Sequence, residues 1–107
     1  MANTSSEQRT PEGRLNRMSL SKEDAVEKAR KDLAGRLNID AGAIKESVED
    51  SDFPDMALGA AEDGEMSGQM ITSGWRIRLD ANGKNYEYRA DKNQVRLYKY
   101  KGKNYRI

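Results

Sequence analysis

Apolar and polar residues alternate strictly from Trp75 to Leu79 and again from Tyr86 to Ala90, on either side of an Asn82-Gly83 pair. Asn-Gly readily supplies the two positive-φ positions of a type I′ turn, so the run predicts a β-hairpin. With two residues in the turn, Leu79 faces Tyr86 and Ile77 faces Tyr88, which puts all four on one face of the sheet. A third alternating run covers 95–100. A four-residue connection from Asp91 to Gln94 pairs Ala90 with Val95 and Tyr88 with Leu97, keeping that face apolar, whereas a three-residue one would set Arg96 opposite Tyr88. Gly102-Lys103-Asn104-Tyr105 repeats Gly83-Lys84-Asn85-Tyr86, either by chance or as the mark of a second tight turn and a short fifth strand.

Upstream the apolar spacing changes from two to three and four. Val26, Ala29, Leu33 and Leu37 form one stripe, and Ser21 with Asp24 three positions later is a variant of the capping box, with Leu20 placed to staple onto Ala25. This predicts a helix over 21–37. Ile44 to Glu49 alternates as a short first strand whose place in the sheet is open, and 69–80 is the second strand, with Ser73-Gly74 as a bulge or bend. The fold class is α+β: one N-terminal helix packed on a three- to five-stranded antiparallel meander. Residues 1–18 are polar and aperiodic and read as a disordered leader or tether, leaving 19–107 as a single domain. Its long aperiodic segment, 50–68, reads as a functional or disordered loop.

The composition closes most chemistry. There is no cysteine and no histidine, which excludes disulfides, thiolate nucleophiles, imidazole catalysis and sites that need Cys or His ligands. Asp and Glu remain, but Asp50-x-Asp52-x-x-Asp55 lacks the EF-hand spacing and its central glycine, so no metal or cofactor is expected. No apolar run approaches the length of a membrane span. The expected class is therefore non-catalytic.

Charge is strongly segregated. Residues 46–75 hold eight acidic side chains and no Lys or Arg, while 76–107 hold ten basic against three acidic ones. Two candidate binding regions follow. One is the polar face of the sheet, where Arg76, Arg78, Arg89, Arg96, Tyr98 and Tyr100 could hold phosphates and stack bases; an ordinary solvated sheet face has the same composition. The other is the acidic segment, where Asp52, Asp55, Glu62, Asp63 and Glu65 accompany the apolar Met56, Leu58 and Met66, either pinning the loop to the core or forming an adaptable contact surface. Opposite fields in one small domain also predict that the loop lies loosely over the arginine face, within a monomer or across a weak dimer.

The order of a capped helix, an aromatic-led strand, a D-x-x-G-K turn and a Y-x-Y strand resembles the PepSY pattern. Leu58, Gly59, Gln69, Thr72, Gly74, Trp75, Arg76, Ile77, Tyr86, Glu87, Tyr88 and Asp91 are also similar to a group of small bacterial domains, often in exported proteins or lipoproteins, with an LG…Q-x-x-T-x-G-[YW]-R-I…Y-E-Y…D core. That group carries Cys-Pro where Ala60-Ala61 stand and His where Arg89 stands. The resemblance implies a binding or inhibitory module of the cell envelope with a peptide or peptidase partner. The alternative is nucleic-acid or anionic-ligand binding through the Arg/Tyr face, in an exported or a cytoplasmic setting.

Overall fold

A computed structural model describes residues 19–107; the predicted leader at 1–18 lies outside the described residues. Helix α1 (Lys22–Leu37) opens on the capping box: the Ser21 side chain accepts from the Asp24 N–H, and the Asp24 carboxylate accepts from the Ser21 N–H. It ends at Asn38, in the left-handed region with φ 57°, whose N–H donates to the Ala34 carbonyl. One 3-10 turn (Ala41–Ala43) then leads into five strands: β1 (Lys45–Phe53), β2 (Thr72–Ala81), β3 (Lys84–Asp91), β4 (Gln94–Tyr100) and β5 (Lys103–Arg106). All neighbours are antiparallel and the order in the sheet is the order in the chain, with β1 and β5 at the edges.

The inner face of the sheet packs on α1. Ala25, Val26, Ala29 and Leu33 meet Ile77, Leu79, Tyr88, Ala90, Val95 and Leu97, all buried. The register follows the alternation: Leu79 pairs with Tyr86, Ile77 with Tyr88, Ala90 with Val95 and Tyr88 with Leu97. Buried among them, the Tyr88 hydroxyl donates to Asp32 Oδ2 on the helix at 2.7 Å. Burial and that carboxylate together raise the phenol pKa, keeping it a neutral donor.

Several local expectations are corrected. Strand β1 runs to Phe53, four residues beyond the predicted end, because 50–53 pair with 72–75. Strand β2 starts at Thr72, and Ser73-Gly74 is regularly paired rather than bulged. Gly74 is required for another reason: a Cβ there would lie 2.1 Å from the Ala90 carbonyl oxygen. The β3–β4 connection is tighter than four residues, since Asp91 pairs with Gln94 and leaves only Lys92-Asn93 in the turn. The repeat at 102–105 does mark a turn and a fifth strand. Trp75 is only half-buried, at the rim of the core.

Candidate functional site

Antiparallel pairing sets Arg76 opposite Arg89, Arg89 opposite Arg96 and Arg96 opposite Arg106, so four guanidinium-bearing residues cross the outer face in one row. Like charges directly opposite repel, and the row is tolerable only because acceptors are interleaved with it. Glu87, one pair along, accepts from Arg76 Nε at 3.1 Å and from Arg89 Nε at 2.7 Å through the same oxygen. Aromatic rings supply the rest: the Arg89 guanidinium lies 3.6 Å from the Tyr98 ring centre, and both Arg76 and Arg89 face the buried Phe53 ring at 5.7 and 5.3 Å.

The loop 54–71 closes over this row. Arg89 Nη1 donates to the Leu58 carbonyl at 3.0 Å, and Arg96 grips Glu65 with both terminal nitrogens, at 2.6 and 2.7 Å. Gln94 Nε2 donates to the Met56 carbonyl and Asn104 Nδ2 to the Ala61 carbonyl, both at 2.8 Å. Phe53, Ala57, Leu58 and Ala60 are fully or nearly fully buried beneath it, forming a second, smaller apolar cluster. The backbone is bent to fit: Leu58 and Gly59 both have positive φ, at 61° and 66°, and a Cβ on Gly59 would come within 2.7 Å of Arg89 Nη1. The bidentate Arg96 contact, with a backbone N–H from Glu62, holds the Glu65 carboxyl down at about 2.

The sequence-predicted residues therefore divide. Arg76, Arg89, Arg96 and Tyr98 do share the outer face, but Arg96 is only 2% exposed and spent on Glu65, so this part of the face is a packed seam rather than an open platform. Arg78 is on the same face and exposed, 4.0 Å from Glu49. Tyr100 is not there. Lys99 takes a positive φ of 49°, the register slips between Leu97 and Tyr100, and the Asn104 side chain accepts the Lys99 N–H, which turns Tyr100 to the helix side. Of the loop set, Leu58 is buried, Asp55 caps the Ala57 and Gly59 N–H groups, and Glu62 accepts from the Arg106 N–H. Asp63 and Met66 face solvent, and the apolar Met56 is half-exposed. Asp52 accepts from the Ser73 hydroxyl. Instead of lying loosely over the face, the loop is fastened by specific bonds to β3, β4 and β5.

An open concavity, unforeseen in the sequence, remains at the end of β1. It has a volume of about 780 Å³; Asp50 and Asp52 on one side, Met56, Met70, Ile71 and Trp75, and the β3–β4 turn with Lys92 bound it. Met70 and Ile71 are 63% and 74% exposed, an unusual display for apolar side chains on a chain this polar. Beside it runs the free edge of β1, nine residues long and carrying Glu46, Glu49, Asp50 and Asp52. Among the described residues, no backbone segment other than β2 pairs with this strand. Three of the four acids are partly compensated, Asp50 by Lys22 at 3.3 Å and Glu46 by Arg30 from the helix, and Glu49 by Arg76 at 3.5 Å from β2, while Asp52 has no cationic partner among the described residues. No helix among the described residues is long and apolar enough to cross a membrane, and no three acidic side chains there converge to hold a metal ion.

Residues 26–98, from the first turns of α1 to β4, match the family described as "Domain of unknown function (DUF8738)", and the chain belongs to it. No curated protein and no solved structure matches the chain.

Proposed function

We propose that this member of the family is a non-catalytic peptide-binding module, in which an extended cationic and apolar segment adds to the free edge of β1 and sets an apolar side chain into the concavity beside it. The observation that carries the reading is the long acidic edge strand ending at a hollow with exposed Met70 and Ile71. An edge of this length offers a row of unpaired backbone donors and acceptors, and such edges are either blunted by charge or used for strand addition. Acidic side chains do both: they repel a second copy of the same strand and attract a basic one. Methionine adapts its shape to different apolar side chains. The alternative Arg/Tyr platform is disfavoured because Arg89 and Arg96 already hold the loop.

The resemblance to PepSY domains supports a peptide or peptidase partner and an exported setting; a signal peptide or lipobox on the precursor is the expected finding. Binding is tested by titrating the protein with an extended peptide alternating Lys and Leu, following backbone amides by NMR. Shifts confined to β1 and 70–75, weakened about tenfold in Asp50→Asn/Asp52→Asn, are expected. Equal binding of a Glu/Leu peptide, or shifts elsewhere, would reject the proposal.

A further inference from the structure

At the opposite end of the sheet the last turn of the helix reaches the rim of the inner face, where the aromatic side chains are only partly buried. Three tyrosines cross it strand by strand: Tyr86 and Tyr100 with ring centres 6.1 Å apart, Tyr100 and Tyr105 6.3 Å apart and edge-on. Above them a cleft of about 500 Å³ is lined by Arg36, Lys84, Tyr86, Lys99, Tyr100 and Lys101, and no carboxylate lines it. Arg36 lies over the Tyr100 and Tyr105 rings at 5.3 and 4.7 Å and is the one cation of the four in an ion pair among the described residues, with Asp32 at 2.7 Å. Lys101 Nζ is 5.5 Å from the Tyr100 ring centre.

The two hairpins at this end have similar turns but different residues. The β2–β3 turn uses Asn82 (φ 54°) and Gly83, a pair suited to left-handed backbone; the β4–β5 turn sets Lys101 (φ 53°) before Gly102, and Lys99 (φ 49°) occupies the same region two residues earlier. Lysine has none of the local hydrogen bonding that lets Asn sit there. Lys99 lines the cleft but carries its ammonium 5.5 Å from the Tyr98 ring centre, whereas Lys84 and Lys101, neither in an ion pair among the described residues, line it beside the Asp32-bound Arg36, so positive charge there exceeds its compensation.

We infer that this cleft binds the phosphate-and-base unit of a nucleotide, Lys84, Lys101 and Arg36 receiving the phosphate and the two tyrosines that line it, Tyr86 and Tyr100, receiving the base. Charge without acid calls for an anion, and guanidinium and ammonium groups bind phosphate well. The aromatic row beside it calls for a planar group on that anion, since bases stack on tyrosine whatever their sequence. The volume falls in the range of small-ligand sites. A free nucleotide and the nucleotides of a single strand share this chemistry. The site is separate from the β1 edge, so it stands or falls independently of peptide binding.

The test is an NMR titration of the full chain at low salt with ATP, inorganic tripolyphosphate and a short oligothymidylate. Saturable ATP binding is expected, shifting the Tyr86 and Tyr100 ring signals and the Lys99 and Gly102 amides, and weakening as salt rises. Lys84→Gln/Lys101→Asn should bind about tenfold more weakly with an unchanged or higher melting temperature, because Asn suits the left-handed backbone at 101 and Lys84 is exposed; Arg78→Gln should bind as the parent does. Oligothymidylate binding more tightly than ATP through the same residues would assign the strand as the source, and the reverse order the free nucleotide. No saturable binding of ATP or oligonucleotide, or undiminished binding by the double variant, overturns the inference. Tripolyphosphate binding as tightly as ATP overturns its base-recognition half.

Discussion

The two faces of this sheet are covered by different means. On the inner face a helix contributes small and branched apolar side chains, and cohesion comes from removing that surface from water, with a single buried tyrosine hydroxyl tied to Asp32. On the outer face 54–71 has no regular structure beyond short turns and is fastened by arginine, asparagine and glutamine side chains donating to its carbonyls and to Glu65. Hydrophobic cohesion is non-directional and tolerates repacking; the second kind depends on particular atoms and on ionisation. One coat should therefore fail globally and the other locally.

Ile77→Ala should separate them most sharply. Ile77 is fully buried on the inner face, and its truncation should cost about 2–5 kcal/mol of global stability, read as a shifted denaturation midpoint with slope unchanged. An unchanged midpoint would reject the register. Arg96→Gln should act on the outer coat, leaving Glu65 without its bidentate partner at a cost of about 1–3 kcal/mol, smaller than for a fully buried pair because Glu65 is itself partly exposed. Hydrogen exchange should show protection lost across 57–65 while α1 keeps its own; uniform loss would mean that the faces are not separable.

Acid gives the smallest and most selective effect. The Glu65 carboxyl is held at about 2 in the folded protein, below its ordinary 4.5. Its contribution is thus fully present above about pH 4.5 and is lost as the pH falls toward 2. Loop amides should lose protection in that window before the helix does, and Glu65→Gln should abolish the step. A loop that stays protected until the helix unfolds would contradict the assignment.

The same contrast explains what could be read in the chain. Ile77, Leu79, Tyr86 and Tyr88 announce their face because burial on one side of a strand imposes a period of two, and Asn82-Gly83 fixes their partners. The Leu58 carbonyl announces nothing, since every residue has one, and its capture by Arg89 depends on a left-handed pair of residues that follows no period. Leu58-Gly59, Arg76 and Glu87, far apart in the chain, meet at this seam through Arg89, which no periodicity ties to the loop. Tyr100 leaves the face that alternation predicts for it because its turn to the helix side depends on Lys99 adopting backbone geometry that lysine seldom takes. Charge segregation pointed to contact between loop and sheet but understated its firmness, since carbonyl acceptors carry no formal charge.

The meander also orders the steps by which the sheet can assemble. The pairs β2–β3, β3–β4 and β4–β5 each close across two residues, whereas β1 reaches β2 only across 54–71. Loop-closure entropy makes that junction roughly 2 kcal/mol more demanding than a tight hairpin. The three consecutive hairpins can zip outward from Asn82-Gly83 while β1 is still searching, so the edge strand joins a sheet already formed. Its contacts are then absent from the barrier to folding and govern how fast the native state comes apart.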